Sequence, residues 1–169
     1  MHKTNLRFNL GYLIDASSGT SNDIEFDYPQ MRIEDTKFTP LSGRFRATRT
    51  SEGILIQGDF YTEIEAACGR CLEPYTQPIH THTDELFYYP PSLAPEGEFV
   101  LGEDGFIDLG PLIREISLLE MPMRPICKED CQGLCPECGQ NLNEGSCDCT
   151  IDDIDPRLAA LKALLDPED

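Results

Sequence analysis

Alternation of apolar and polar residues along the first half of the chain predicts an antiparallel sheet. The alternation is clearest over residues 54–67, and it recurs over 42–50 and 76–89, with shorter candidate strands at 5–10 and 23–28. Residues 54–67 have one apolar and one polar face, as a half-buried strand does, and the apolar face comprises Ile54, Ile56, Phe60, Ile64 and Ala66.

The three main predicted strands are expected to form a meander, and its second hairpin carries Cys68 and Cys71 at its tip. In the third of these strands the alternation shifts near Asp84, which predicts a β-bulge. Residues 90–106 contain several prolines and glycines and are expected to form a loop.

Two helices are predicted after this loop. The first has Asp108 as a candidate N-cap and Pro111 in its first turn, and it ends at Pro122; its apolar stripe comprises Leu109, Leu112, Ile113, Ile116 and Leu119. The second has Asp155 as N-cap and Pro156 at its first position, and its stripe comprises Leu158, Leu161 and Leu165. We interpret both stripes as packing surfaces.

These elements predict an α+β fold in three parts. Residues 1–106 form an antiparallel β domain that carries the first Cys-x-x-Cys pair, and residues 107–126 form a connecting helix. Residues 127–169 form a small cysteine-rich, zinc-knuckle tail with a C-terminal helix. The hydrophobic content of 40% is that of a globular chain, because a disordered chain would be poorer in apolar side chains.

The charge of the chain limits its partners. The formal net charge is −18, made up of −3 over residues 1–67, −7 over 68–126 and −8 over 127–169. Such a field repels phosphate backbones, which excludes a general nucleic-acid coating role and restricts any RNA contact to a local patch in the N-terminal part. No apolar run approaches the ~18 residues that span a bilayer, and the first residues lack a signal peptide's apolar core. We therefore expect a soluble, cytoplasmic protein without a membrane partner.

The eight cysteines predict metal binding. In a reducing compartment structural disulfides are disfavoured, and two thiols separated by a single residue would pair only with strain. The most specific pattern is a Cys-x-x-Cys-Gly turn followed, eight residues later, by a Cys-x-Cys pair, which together make a closed set of four thiolates for one structural zinc ion. This first predicted site comprises Cys135, Cys138, Cys147 and Cys149.

The other four cysteines could form a second closed zinc site, comprising Cys68, Cys71, Cys127 and Cys131. Two alternatives stay open at this stage. Some of these thiols could be free, and Cys131 could replace Cys147 or Cys149 in the first site because it lies only four residues before Cys135. The sequence thus predicts one or two structural zinc ions.

Catalytic motifs are not evident in the sequence. It contains no phosphate-binding glycine loop, nucleophile elbow or metalloprotease helix, and neither Cys-x-x-Cys pair follows a strand and opens a helix as in a disulfide oxidoreductase. His80 and His82 share a strand face and are best interpreted as solvent-facing. We expect a protein that is not an enzyme and has no small-molecule substrate.

The cysteine spacing and its surroundings resemble the YceD family of large ribosomal RNA subunit accumulation proteins. The resemblance runs from about residue 4 to 165 and rests on these segments: Cys68-Gly69-Arg70-Cys71-Leu72-Glu73-Pro74; Ile107-Asp108-Leu109; Met121-Pro122; Cys131-Gln132-Gly133-Leu134-Cys135; Cys138-Gly139-Gln140-Asn141-Leu142-Asn143; Cys147-Asp148-Cys149; and Asp155-Pro156-Arg157-Leu158 with Leu161. It implies a bacterial cytosolic factor needed for large-subunit rRNA accumulation, and it supplies no catalytic residue.

Two classes of function follow from these observations. The first is a non-enzymatic ribosome biogenesis factor that binds a pre-ribosomal particle, through precursor rRNA of the large subunit, a basic ribosomal protein, or both. The candidate RNA-binding residues are the basic side chains Arg44, Arg46, Arg49 and Arg70, although a solvated strand face with glutamate partners explains them equally well. The alternative is a thiol-based redox or zinc-responsive regulatory protein, because Arg70 between two cysteines would favour a thiolate.

Overall fold

The computed structural model describes residues 6–149, which contain seven strands and two short helices. The strands are β1 (Arg7–Asn9), β2 (Ser21–Tyr28), β3 (Met31–Ile33), β4 (Thr36–Arg49), β5 (Gly53–Ala67), β6 (Pro74–Tyr88) and β7 (Phe106–Asp108). The helices are α1 (Gly11–Ile14) and α2 (Gly110–Leu119), and Pro91–Leu93 form a 3-10 turn. The described helices are too short or too polar to cross a membrane.

The main sheet is antiparallel and has the spatial order β2-β4-β5-β6, with β3 beside the first part of β4. The predicted meander of three long strands is present as β4, β5 and β6. The strand β4 begins earlier than the sequence indicates, at Thr36, and its register against β5 shifts between Phe38 and Leu41. A proline at position 40 breaks the alternation there, which is why the sequence pattern revealed only the second half of β4.

The predicted bulge near Asp84 is wrong. The strands β5 and β6 pair without interruption from Gly53–Tyr88 to Ala67–Pro74. The inward-facing positions Thr81, Thr83 and Glu85 of β6 are polar. In the sequence these polar residues resemble a switch between the two faces of the strand, although the strand keeps its register.

One hydrophobic core lies on the inner face of the main sheet. It is covered by the small β1–β7 pair, by α1 and by α2, which also contribute to it. Its largest fully buried side chains are Phe38, Phe60, Phe87, Leu6, Leu10, Leu13, Ile33, Leu41, Ile54, Ile56, Leu101 and Ile107. The core therefore joins residues that are about 100 positions apart in sequence, since Leu6 and Ile107 are both fully buried.

The helix α2 differs in two details from the prediction. Its N-cap is Leu109, while Asp108 ends β7 and accepts a hydrogen bond from the Gly110 N–H at 2.9 Å. Leu119 is 76% exposed, so it does not belong to the packing stripe formed by the preceding apolar residues. On the outer side of α2, Arg114 donates to the Asp35 carboxylate at 2.8 Å and so ties the helix to the β3–β4 turn.

The predicted C-terminal helix, with Asp155, Pro156, Leu158, Leu161 and Leu165, lies outside the described residues. The division of the chain into residues 1–106, 107–126 and 127–169 stays a prediction. What the structure establishes is an antiparallel β protein with few helices, and the cysteines of its described part gather in two clusters.

Candidate metal centres

The first cluster forms at the tip of the β5–β6 hairpin, and we call it the hairpin cluster. It comprises Cys68, Cys71, Cys127 and Cys131, whose sulfur atoms all lie within 4.8 Å of one another. The Cys68–Cys131 and Cys71–Cys127 sulfur pairs are each 3.8 Å apart. A tetrahedral zinc site with Zn–S bonds of about 2.3 Å has edges of about 3.8 Å, whereas a disulfide would bring two sulfurs to about 2 Å. The thiols are therefore spaced for a metal ion.

Backbone and side-chain N–H groups surround this cluster. The sulfur of Cys68 accepts from the N–H groups of Arg70 and Cys127, each at 3.4 Å, and the Cys131 sulfur accepts from Asn143 Nδ2 at 3.4 Å. After Cys71 the turn places Leu72 in the left-handed region (φ 61°), and the chain then returns to the hairpin, where the Glu73 carbonyl accepts from the Cys68 N–H at 2.9 Å. Such donors orient thiolate ligands and offset part of their negative charge.

Arg70 connects the two segments that supply the hairpin cluster. Its Nη1 donates to the Cys131 carbonyl at 2.8 Å and to the Glu129 carbonyl at 3.3 Å, and its own carbonyl accepts from the Leu134 N–H at 3.1 Å. Close packing at this point requires Gly133, because a Cβ there would lie 3.1 Å from the Arg70 carbonyl oxygen at a φ of 77°.

The second cluster lies in the tail, and we call it the tail cluster. It comprises Cys135, Cys138, Cys147 and Cys149, again with all sulfur atoms within 4.8 Å of one another. Cys135 is buried, whereas Cys138 and Cys149 are exposed. The Gly139 N–H donates to the Cys135 carbonyl at 2.9 Å, and a φ of 75° makes glycine favourable at this turn.

Asn143 links the two clusters. Its Oδ1 accepts from the Gln132 N–H at 2.9 Å, while its Nδ2 contacts the Cys131 sulfur of the hairpin cluster. Since Asn143 belongs to the loop between Cys138 and Cys147, the loop that closes the tail cluster also braces the hairpin cluster. Sequence reasoning missed this residue, and its only sequence signal is an Asn-x-Asn turn within the cysteine loop.

The pKa values of the thiols show which sulfur atoms of each cluster ionise most readily. In the hairpin cluster, the backbone N–H of Cys71 lowers the pKa of Cys68 to about 6, whereas burial raises the pKa of Cys127 to about 12. In the tail cluster, the backbone N–H groups of Cys138 and Glu137 lower the pKa of Cys135 to about 7, and the contact with Cys138 raises the pKa of Cys149 to about 12. One thiol of each set thus ionises readily, and full ionisation requires a cation.

The donor sets fit zinc by their chemistry. Four thiolates suit a soft or borderline cation with a tetrahedral preference, and hard cations that require oxygen ligands are excluded. Four protein ligands also complete the coordination, so such an ion is structural. The sequence had left open whether Cys131 belongs with the tail cysteines, and the structure places its sulfur in the hairpin cluster, 3.8 Å from that of Cys68.

The four candidate RNA-binding arginines are not brought together. Arg49 donates to three backbone carbonyls, including that of Ile14, and Arg70 belongs to the hairpin cluster. They lie at opposite ends of the sheet, separated by the 15 residues of β5, which span about 50 Å. Arg44 and Arg46 share the outer face, where Arg46 forms a two-bonded ion pair with Asp23 at 2.8 and 3.0 Å.

Both histidines of β6 are exposed and stand apart from the cysteine clusters. His82 lies between two carboxylates, with Nδ1 3.1 Å from Asp59 Oδ1 and Nε2 3.4 Å from Asp84 Oδ2. The hydrogen bond to Asp59 raises the pKa of His82 above its usual value.

Comparisons with known proteins identify relatives of this chain. A family model described as "Large ribosomal RNA subunit accumulation protein YceD" matches residues 56–165. An uncharacterised protein of Mycobacterium tuberculosis is 38% identical over 127 residues, which cover 73% of this chain and 61% of the relative. The uncharacterised protein YlbN of Bacillus subtilis is 31% identical over 135 residues, 79% of this chain and 78% of the relative. No solved structure matches the chain.

A plant protein carries a functional name. The "Large ribosomal RNA subunit accumulation protein YCED homolog 1, chloroplastic" of Arabidopsis thaliana is 26% identical over 147 residues, 69% of this chain and 46% of the relative. The chain spans about three-fifths of the length of the mycobacterial relatives.

The fold and the two clusters define a class of protein. It is an antiparallel β protein whose cysteines form two clusters of four thiols that could hold metal ions. The family follows from the match over residues 56–165, which is more than half of the chain, and from the similarity to YlbN. The chain belongs to the YceD family, so the expected resemblance is confirmed.

Proposed function

We propose that this protein is a non-enzymatic ribosome biogenesis factor that supports accumulation of large-subunit rRNA. The observation that carries the proposal is the family match over residues 56–165, which includes all eight cysteines. The protein acts in the cytoplasm by binding a pre-ribosomal particle, through its RNA or a ribosomal protein. Its net charge of −18 favours a basic protein over a phosphate backbone as the contact.

Each cysteine cluster holds one structural zinc ion in this proposal. Cys68, Cys71, Cys127 and Cys131 are the ligands of one ion, and Cys135, Cys138, Cys147 and Cys149 are those of the other. The ion supplies folding free energy, because four thiolates leave no open coordination position for a substrate. The hairpin ion joins the sheet to the segment around residue 130, and the tail ion fixes the loop that carries Asn143.

The function is tested in a bacterial strain from which the gene has been deleted. We expect the ratio of large-subunit to small-subunit rRNA to fall, and the full chain to restore it. Tagged full chain should co-sediment with large-subunit precursors in a sucrose gradient. An unchanged rRNA ratio in the deletion strain refutes the proposed function.

The proposed contact with RNA is tested separately. If phosphate contacts through this pair of arginines matter, Arg44→Glu/Arg46→Glu should abolish co-sedimentation, whereas Arg32→Glu/Arg124→Glu, with the same change in charge at two exposed arginines, should not. Unchanged co-sedimentation of the Arg44→Glu/Arg46→Glu variant refutes the RNA patch and leaves a ribosomal protein as the partner. The existing ion pair between Arg46 and Asp23 favours this second result.

The exposed sulfurs of the tail cluster support a second candidate, a thiol-based redox or zinc-responsive regulator. Cys138 and Cys149 are accessible to solvent, while the hairpin thiols are mostly buried. Titration of the native protein with a thiol reagent, with and without a chelator, tests the redox form of this candidate. Rapid reaction of all eight thiols without chelator favours a redox regulator, and protection until chelator is added refutes it.

A further inference from the structure

The strand β2 forms one free edge of the main sheet, and its backbone has a definite polarity. The Arg49 N–H donates to the Thr20 carbonyl at 2.8 Å, directly before β2 begins. Hydrogen-bonded and non-hydrogen-bonded pairs alternate along an antiparallel ladder. With the observed register, Asp23, Glu25 and Asp27 are therefore the positions whose N–H and C=O groups point away from β4.

The opposite edge, β6, is obstructed at both of its ends. The Tyr89 N–H donates to the Glu52 carbonyl at 2.9 Å, and the same alternation makes the even-numbered residues of β6 point outward. Pro74 and Pro78 occupy two of these positions and have no N–H to offer, and the outward groups of Tyr88 are bonded to the following loop. Within residues 6–149, β6 therefore keeps a run of outward N–H groups only over its second half, at His80, His82, Asp84 and Leu86, where the inward neighbours Thr81, Thr83 and Glu85 are polar. The strand β2 differs because it has no proline and its inward row is apolar.

Charge alone protects the β2 edge. Natural sheets guard an exposed edge with prolines, bulges or charges, and β2 has no proline. Three of its four outward-pointing positions carry acidic side chains on the outer face of the sheet, and the fourth is Ser21. Asp23 is bonded to Arg46, while Glu25 and Asp27 have no hydrogen-bonding or ionic partner in the described part of the chain. This edge repels acidic strands and attracts basic ones.

The inward side of β2 is apolar and incompletely covered. Ile24, Phe26 and Tyr28 alternate with the acids and are only half-buried, although their neighbours in the core are fully buried. Phe26 packs against the rings of Phe8, Tyr28 and Phe60, with centroids 5.7, 5.8 and 6.0 Å away, and still remains partly exposed. A strand added beside β2 would extend the sheet and cover this apolar row.

We propose that the β2 edge binds an extended segment of a basic polypeptide by strand addition. The segment alternates lysine or arginine, placed opposite Asp23, Glu25 and Asp27, with apolar residues that cover Ile24 and Phe26. Main-chain hydrogen bonds supply affinity, and the alternating charges select the partner. This inference rests on the proposed function for the identity of the partner, a basic ribosomal protein, but the geometry of the edge stands independently.

The binding test uses the full chain and a fluorescent eight-residue peptide of alternating lysine and valine, which matches the eight residues of β2. A peptide of the same composition with four lysines followed by four valines controls for charge alone. We expect the alternating peptide to bind at least tenfold more tightly than the block peptide, with affinity that falls at high salt. Equal affinity of the two peptides overturns strand addition.

Variants then separate backbone from charge. Glu25→Pro removes an outward N–H without touching the β4 ladder, so it should weaken binding at least tenfold relative to Glu25→Ala. Glu25→Lys/Asp27→Lys should abolish binding, while Glu65→Lys/Glu96→Lys, with the same change in charge, should keep most of it. Circular dichroism establishes that each variant is folded. Binding by Glu25→Pro equal to that of Glu25→Ala refutes the edge as the site, as does displacement of the peptide by a single-stranded RNA oligonucleotide.

Failure of this inference is distinguishable from failure of the proposed function. If deletion of the gene leaves rRNA unchanged, the function is wrong, whatever the peptide does in solution. If deletion lowers rRNA and Glu25→Lys/Asp27→Lys restores it fully, the function holds and the edge is not its binding surface. We expect the edge variant to fail in complementation and the Glu65→Lys/Glu96→Lys control to succeed.

Discussion

Replacement of Arg70 by alanine should weaken metal binding at the hairpin cluster. The change removes the 2.8 Å hydrogen bond from the guanidinium to the Cys131 carbonyl and the longer bond to that of Glu129. A hydrogen bond from a charged donor contributes about 1.5–3 kcal/mol, and the 3.3 Å bond adds little. Each 1.4 kcal/mol is about a factor of ten, so zinc affinity should fall about ten- to a hundredfold, which is the usual effect of losing a residue that supports metal ligands.

The assay counts zinc in the intact protein by native mass spectrometry at increasing chelator concentration. Mass mapping of the alkylated thiols then identifies which cluster has released its ion. Arg70→Lys should show an intermediate loss, because lysine keeps the charge but not the planar fork. Arg44→Ala, a change on the outer sheet face, should leave zinc retention unchanged.

The reasoning is refuted if Arg70→Ala releases zinc at the same chelator concentration as the wild-type chain, within a factor of two. It is also refuted if the tail cluster loses zinc first in the variant. Either result would mean that the backbone alone holds the turn between Cys68 and Cys71 in place, without the hydrogen bonds from Arg70 to the carbonyls of Glu129 and Cys131.

Three further predictions concern packing, titration and metal uptake. Gly58→Ala should destabilise the fold by about 1–3 kcal/mol in denaturant, because its Cβ would lie 2.6 Å from that of Phe45, whereas Gly145→Ala should be neutral; equal midpoints would contradict this. Asp59→Asn should lower the pKa of His82 in an NMR titration, and an unchanged pKa would show that Asp59 is not its cause. In each cluster two thiols have a pKa above the ordinary value of 9.0 and must lose a proton to bind zinc, so zinc affinity should rise at least about a hundredfold per pH unit near neutrality; a pH-independent affinity would contradict this.

The long strands could be predicted from the sequence because burial of one face gives them a regular alternation of apolar and polar residues. The apolar face of β5 follows strict alternation, and its positions Ile54, Ile56 and Phe60 are almost completely buried. Where the inward face is polar, as at Thr81 and Thr83, the pattern was misleading, because a sheet buries hydroxyl groups without changing its register.

The short strand β7 escaped prediction because its partner is distant in sequence, although that partner, β1, lies within the predicted strand 5–10. The strand β7 has three residues and exists through its pairing with β1, about 100 residues earlier. The helical stripe was right for Leu112 and Ile113, which are buried, but not for Leu119, the last residue of α2, which is exposed.

The candidate metal centres could be predicted in part, because the spacing of two ligands within a Cys-x-x-Cys turn is a local feature of the sequence. The pairing of Cys68 with Cys131 across 63 residues depends on the path of the chain, and sequence spacing could not decide it. The same holds for Arg70, whose charge resembled a phosphate contact in the sequence and which binds two carbonyls in the structure.

The most direct test of the account is the zinc content of the native, full-length protein, measured by intact mass spectrometry under non-denaturing conditions. The account predicts a single dominant species with two bound zinc ions, one for each set of four thiols. A folded protein that carries no zinc, or whose eight cysteines are present as disulfides, would contradict it.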